Sequence, residues 1–267
     1  MPTLKTKNNI TWNYEMKGEG EPFLFLHGWG ANRRIWKQQF DHFAKDYKTM
    51  IVDLPGHGKS SWEQVSLEAL IDDIEEICSE LHLQDINLFG NSLGGLIAMK
   101  LIEAYPERIK RFISVGALPK FVKSENYPFG LWAPRIYKLD SMLEEEYPIV
   151  LNVFFRSLFT IEERRECKIK WLQQFRQQDD VPQRKALREY LKIMENQDLR
   201  KTFSEISFPV LLINGTEDDI VSKDAVHYLQ GILPHVKVRF FERCGHFPFL
   251  TKPDAFNRVV EDFLKTQ

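Results

Sequence analysis

The chain has 267 residues, 43% of them hydrophobic, and its formal net charge is −2. This length suits one globular domain with room for an inserted subdomain. The nearly balanced charge excludes the strong overall field that nucleic acid or an anionic membrane would attract, so we expect neither as a partner.

The cysteine content and the hydropathy of the chain indicate its cellular compartment. The three cysteines Cys78, Cys167 and Cys244 form no C-x-x-C pair, which fits a reducing cytoplasm. The N-terminal stretch has no apolar core of a signal peptide, and no run of about 18 apolar residues is present to span a bilayer. We therefore expect a cytoplasmic protein.

The first part of the chain alternates short apolar runs with amphipathic stretches. The runs predict strands at residues 23–27, 48–53, 86–89 and 111–115, and the apolar spacing between them predicts helices at residues 34–47, 67–83 and 92–105. Strands that alternate with helices in this way form a mostly parallel sheet with helices on both faces. The fold class predicted here is therefore α/β.

The pattern changes after Gly116. Residues 118–198 show no convincing strand, and their polar–apolar stretches predict helices separated by Pro128, Pro148 and Pro182. Strand candidates resume at residues 209–214 and 236–241. We expect a core made of residues 1–117 and 199–267, interrupted by a helical cap at residues 118–198.

The stretch GNSLG places Ser92 between a predicted strand and a predicted helix. Gly90 and Gly94 relieve the crowding of such a sharp turn, and the helix N-terminus favours developing negative charge. This is the G-x-S-x-G nucleophile elbow in its expected strand–turn–helix context. A tight turn with an incidental serine is the alternative, but the context favours a nucleophilic Ser92.

A nucleophilic serine needs a base, and the base needs an acid that orients it. After the strand at residues 209–214 come Asp218 and Asp219, and after the strand at residues 236–241 comes His246. The order Ser, Asp, His is the one expected of this kind of fold. Asp218 is the predicted acid, with Asp219 as the alternative. His57, in DLPGHGKS, is interpreted as a turn residue.

Catalysis on an ester also needs hydrogen-bond donors for the oxyanion. The residue after the nucleophile supplies one, the backbone N–H of Leu93. The loop HGWG after the first buried strand supplies the other, for which Trp29 N–H is the candidate. The Trp29 indole could also wall the acyl pocket.

The motifs HGWG, DLPGHGKS, GNSLGG, GTEDDIV and CGHFPF, in this order and spacing, resemble the α/β-hydrolase superfamily over essentially the whole chain. Within it, the chain is most similar to the carboxylesterases of biotin synthesis, which demethylate pimeloyl-acyl-carrier-protein methyl ester. The resemblance implies a nucleophile, acid and base at Ser92, Asp218 and His246.

The same resemblance implies oxyanion donors at Trp29 and Leu93, and an acyl-chain contact at Phe154. The chain differs from these esterases at Asn91, where they usually carry an aromatic residue. No metal and no organic cofactor are expected, because the triad needs neither.

The predicted cap suggests how a substrate is presented. It is rich in aromatic residues that could line an acyl tunnel. Its stretch RRECKIKWLQQFR carries five cations, and acyl carrier proteins are acidic, so the stretch could dock one. The alternative is a solvated helix face with internal salt bridges.

The sequence therefore predicts a serine carboxylesterase acting on a small ester that a carrier protein could present. Another hydrolase activity on the same triad remains open, namely C–C bond hydrolysis, lactone hydrolysis or acyl transfer. A catalytically idle small-molecule receptor on this fold is a further alternative.

Overall fold

A computed structural model describes residues 2–165 and 180–265 of the chain. They contain one eight-stranded sheet of order β1-β2-β4-β3-β5-β6-β7-β8. The strands are β1 (Thr3–Lys5), β2 (Thr11–Lys17), β3 (Pro22–Leu26), β4 (Lys48–Val52), β5 (Ile86–Asn91), β6 (Ile109–Val115), β7 (Val210–Gly215) and β8 (Lys237–Phe241). Strands β3 to β8 are mutually parallel, and β1 and β2 pair in antiparallel fashion. The mostly parallel sheet that the alternating pattern predicts is confirmed.

Helices flank this sheet along the described chain. They are α1 (Lys37–Phe43), α2 (Leu67–Glu80), α3 (Leu93–Ala104), α4 (Ala133–Glu145), α5 (Ile149–Ser157), α6 (Ile161–Arg165), α7 (Arg184–Asn196), α8 (Arg200–Ser204), α9 (Lys223–Ile232), α10 (Pro248–Thr251) and α11 (Pro253–Lys265). The helix predicted at residues 34–47 is shorter than expected, because a 3₁₀ turn at Arg33–Trp36 precedes α1.

The central strands are apolar because helices cover both of their faces. Every residue of β5 and of β7 is buried. Aromatic side chains fill one side of the sheet: the rings of Phe25 and Phe89 stack at 4.2 Å, and those of Trp36 and Phe249 stack at 4.1 Å. This packing fixes the strands whose ends carry the site described below.

The two N-terminal strands are not among the predicted elements. Strand β2 mixes polar and apolar residues, and its Asn13 is buried. It forms by pairing with β4, for example Tyr14 with Val52 and Met16 with Met50. Residues 11–17 alternate polar and apolar side chains with the period of a strand, so a local signal is present although β2 is not among the predicted strands.

Between β6 and β7 the described residues add no strand to the sheet. They contain α4, α5, α6 and α7, together with isolated bridges such as Val122 to Leu131. Helix α4 packs against α7, and Arg188 Nε lies 2.7 Å from Asp140 Oδ1 across that contact. The loops that follow β3, β5, β7 and β8 meet at the carboxyl edge of the sheet, where open parallel sheets bind ligands.

Candidate active site

Ser92 lies at the turn between β5 and α3. Its φ of 53° and ψ of −118° are unusual for a residue with a side chain. A Cβ at Gly90 would lie 2.5 Å from Gly95 Cα, and one at Gly94 would lie 2.4 Å from Leu26 O. The flanking glycines are therefore required, because α3 approaches the ends of β3 and β5 too closely for any larger residue.

His246 and Asp218 form a buried pair. His246 Nδ1 lies 2.8 Å from Asp218 Oδ2. The other carboxylate oxygen, Oδ1, accepts the backbone N–H groups of Ile220 at 2.8 Å and Val221 at 3.1 Å. Since a carboxylate can only accept, His246 Nδ1 carries the hydrogen of this bond, and Nε2 is the acceptor nitrogen of the corresponding neutral tautomer.

The second acid of this loop has a different partner. Asp219 is exposed, and its Oδ2 lies 2.9 Å from Arg135 Nη2 on α4. Of the two aspartates that the sequence offers, the structure brings Asp218 to the imidazole and Asp219 to the neighbouring helix.

Gly116 packs directly against the His246–Asp218 pair. Its φ is +55°, and a Cβ there would lie 2.8 Å from His246 Cε1 and 3.3 Å from Asp218 Oδ2. In the sequence, Gly116 stands out only because the strand–helix alternation ends there. A glycine at the end of a predicted buried strand is a signal that something approaches closely there.

The loop after β3 is held by two buried histidines. His27 Nε2 accepts the Leu54 N–H at 2.9 Å, and His57 Nε2 accepts the Gly30 N–H at 3.1 Å. Burial lowers the pKa of His27 well below its ordinary value and lowers the pKa of His57 to about 4. Both imidazoles are therefore neutral acceptors near neutral pH.

His57 is more than the turn residue that the sequence suggests. It lies in a turn and is also completely buried against the HGWG loop. Its contact with Gly30 spans 27 positions of sequence, which no local pattern reveals.

Trp29 and Leu93 lie where backbone donors are expected. Trp29 is buried and its indole N–H donates to Leu187 O at 2.9 Å. Leu93 is the first residue of α3 and its side chain is fully buried. Within the described chain, neither backbone N–H donates to a protein acceptor.

A mostly apolar cavity lies beside Ser92 and His246. Gly28, Trp29, Asn91, Ser92 and His246 line one side of it. The other side comes mainly from helices between β6 and β7 and includes Leu139, Met142, Phe154, Phe155, Leu191 and Met194. Two cations of α4, Arg135 and Lys138, also line it.

Of the predicted substrate contacts, Phe154 lies beside Trp29 in this cavity. Their ring centroids are 4.9 Å apart with an angle of 80° between the ring planes. The Leu93 side chain faces the core and is not among the described residues that line the cavity. Leu93 can thus contact a ligand there only through its backbone.

Asn91 is fully buried next to Ser92. Its Nδ2 donates to Val115 O at 3.0 Å, which fixes the orientation of the amide. Its Oδ1 has no hydrogen-bond partner in the part of the chain that the structure describes. Asn91 therefore puts an amide into the cavity wall at this position.

Much of the predicted basic stretch falls outside the described residues. Lys168, Lys170 and Arg176 are among residues 166–179, so only Arg164 and Arg165 have a place in the structure. Across residues 2–165 and 180–265, no group of three or more potential metal ligands is found. No helix in those ranges is long and apolar enough to span a bilayer.

Comparison with known proteins agrees with this architecture. The family model for the alpha/beta hydrolase fold matches residues 21–253. Pimeloyl-[acyl-carrier protein] methyl ester esterase of Nitrosomonas europaea is 31% identical over 242 residues, which cover 91% of this chain and 95% of that protein. The esterase of the same name from Aeromonas hydrophila is 30% identical, covering 94% of this chain and 98% of that protein.

Solved structures match nearly the whole chain. A bromoperoxidase from Bacillus anthracis superposes with a TM-score of 0.89 at 26% identity, covering 99% of this chain and 100% of that one. An esterase from Exiguobacterium antarcticum does so with a TM-score of 0.88 at 23% identity, covering 98% of each chain. The chain therefore belongs to the α/β-hydrolase family, as an enzyme related to the pimeloyl-[acyl-carrier protein] methyl ester esterases.

Proposed function

We propose that the chain is a serine carboxylesterase with Ser92 as nucleophile, His246 as general base and Asp218 as the acid that orients the base. One observation carries the proposal. His246 is hydrogen-bonded to buried Asp218 at 2.8 Å and lines the same cavity as Ser92, which sits on a strained strand-to-helix turn. This combination is what acyl transfer through a serine requires.

In the proposed reaction, His246 Nε2 takes the Ser92 hydroxyl proton while Oγ attacks the ester carbonyl carbon. The resulting tetrahedral intermediate expels the alcohol, which receives that proton from His246, and Ser92 is left acylated. A water molecule then attacks the acyl-enzyme as His246 takes its proton. The carboxylic acid leaves, and the proton returns to Ser92.

We assign the oxyanion site to the backbone N–H groups of Trp29 and Leu93. Both N–H groups lack protein acceptors in the described structure, and their residues flank the cavity and the nucleophile. The loss of one such donor typically costs about 2.7–4 kcal/mol of transition-state stabilisation. The hydrogen bond from Gly30 to His57 orders the loop that carries the Trp29 donor.

We infer that residues 118–198 act as a cap over a core made of residues 1–117 and 199–267. The support is that helices α4, α5 and α7 of this segment supply much of the cavity wall opposite Ser92. A cap of this kind excludes water from the acyl site and selects the substrate by its shape.

The substrate we propose is the methyl ester of a pimeloyl group carried by acyl carrier protein, as in biotin synthesis. The names of the relatives suggest it. The apolar cavity wall suits a chain of methylene groups, with Trp29 and Phe154 beside it. Lys138, an exposed cation of α4 that also lines the cavity, would attract an acidic carrier protein.

The test is release of methanol from methyl-pimeloyl carrier protein by the purified enzyme. Ser92→Ala is the matched inactive variant, and p-nitrophenyl butyrate is a generic ester for comparison. We expect turnover of the carrier-protein ester that Ser92→Ala abolishes. Turnover of the generic ester alone would overturn the proposed substrate and keep the mechanism.

A further inference from the structure

Glu163 is a buried carboxylate in α6 that the proposed mechanism does not use. It is 3% exposed. Its Oε2 accepts the Thr160 N–H at 2.8 Å, and its own N–H donates to Thr160 Oγ1 at 3.1 Å. The two residues thus form a capping box, the S/T-x-x-E/Q pattern that satisfies free donors at a helix start.

The same oxygen reaches the loop that carries His246. Glu163 Oε2 also accepts the Gly245 N–H at 3.2 Å, and the His246 N–H donates to Leu158 O at 2.9 Å. The backbone N–H of His246 and that of the residue before it are therefore both held by residues of the proposed cap. A Cβ at Gly245 would lie 2.4 Å from Leu158 O, so the loop is pressed against the cap.

Helix capping alone does not account for this arrangement. Burying a carboxylate is costly unless hydrogen bonds compensate for lost hydration. Here the Gly245 N–H, which is outside the capping box, also donates to the carboxylate. Burial first and Glu163 second raise the pKa of the adjacent Cys244 thiol to about 12. Glu163 therefore lies next to the loop that carries His246.

We propose that Glu163 is a positioning residue for His246. It ties the Gly245–His246 backbone to the cap, so that the imidazole stays on Asp218 and faces Ser92. The proposal rests on the role of His246 as the base. It implies that displacement of the cap also displaces the base, so that the acyl site and the catalytic geometry form together.

The test compares three variants with the wild type. Glu163→Ala removes the acceptor, Glu163→Gln keeps an acceptor oxygen, and Thr160→Val removes only the hydroxyl half of the capping box. The measurements are kcat and KM for p-nitrophenyl butyrate, the thermal unfolding midpoint, and the downfield NMR resonance of the His246 Nδ1 hydrogen.

We expect Glu163→Ala to lower kcat about 10- to 100-fold with little change in KM, since a small misplacement of a catalytic group has effects of this size. Its His246 Nδ1–H resonance should broaden or shift. Glu163→Gln should restore both readouts, and Thr160→Val should lower the unfolding midpoint while leaving kcat near wild type.

Three results would overturn the proposal: an unchanged kcat and resonance in Glu163→Ala, no rescue by glutamine, or equal losses of kcat in Glu163→Ala and Thr160→Val. An inactive wild-type enzyme would instead contradict the proposed function. The resonance would still test Glu163 in that case, because it needs no turnover.

Discussion

At the scale of single residues, the choice between two neighbouring acids decides the proposed triad. Asp218 is hydrogen-bonded to His246, whereas Asp219 is exposed and paired with Arg135. Two chemically identical residues therefore have different environments. This difference makes them a matched pair for mutation.

Asp218→Asn should lower kcat on p-nitrophenyl butyrate by about 10⁴-fold, because an amide no longer holds the imidazole in the required tautomer. Asp219→Asn should leave kcat close to wild type. Steady-state kinetics of the two variants check this directly. A large loss in Asp219→Asn with a small loss in Asp218→Asn would reverse the assignment.

The buried His57 leads to a prediction of how the stability of the fold depends on pH. Burial lowers its pKa in the folded state from the ordinary 6.5 to about 4, so the unfolded chain binds the additional proton first on acidification. The stability from keeping His57 neutral is present above pH 6.5 and falls as the pH drops towards about 4. The loss amounts to about 3 kcal/mol over this range.

His57→Gln tests the prediction, since glutamine can accept the Gly30 N–H without titrating. Urea unfolding at pH 7 and near pH 4 should show a smaller loss of stability in this variant than in the wild type. The exposed His235 provides the control variant His235→Gln, which should behave as wild type. Equal acid sensitivity of His57→Gln and the wild type would contradict the account.

At the scale of elements, the proposed active site assembles where strands end and loops begin. Strand β5 delivers Ser92, while the loops after β7 and β8 deliver Asp218 and His246. Helix α4 adds the cations Arg135 and Lys138 to the cavity. The element proposed to attract the substrate's carrier is therefore different from those proposed to carry the chemistry.

The variant Lys138→Glu tests whether attraction of the carrier protein is separate from catalysis. The charge reversal should lower kcat/KM for the carrier-protein ester several-fold at low salt, because it weakens attraction to an acidic partner. The value for p-nitrophenyl butyrate should hardly change. A salt titration with both substrates provides the measurement, and equal losses on both would place Lys138 in the acyl site and not in docking.

At the scale of the whole molecule, sequence patterns predict the strands that are buried on both faces. Strand β3 is a continuous apolar run and β5 is mostly apolar, and the structure places both in the middle of the sheet. Strand β2 is not predicted, although residues 11–17 alternate polar and apolar side chains as a strand does. What the sequence does not show is its antiparallel pairing with β4.

The sequence likewise predicts only part of the candidate site. Ser92, His246 and the two aspartates at 218 and 219 are marked by their positions after predicted strands, so local patterns suggest them as candidates. The two aspartates are distinguished only by their contacts in the structure. His57 and Glu163 act through contacts with Gly30 and Gly245, and the latter contact spans 82 positions of sequence. The T-x-x-E pattern at Thr160 is typical of a helix start, but it is not among the predicted signals, and nothing local indicates the contact of Glu163 with Gly245.

The central claim is that Ser92 is an activated nucleophile in the folded enzyme. The most direct measurement is labelling with a fluorophosphonate probe, followed by mass spectrometry of the Ser92 peptide. We expect stoichiometric modification of Ser92 in the wild type, strong slowing in His246→Ala and none in Ser92→Ala. Folded wild-type protein that stays unlabelled at Ser92 would contradict the claim and favour a non-catalytic role for this chain.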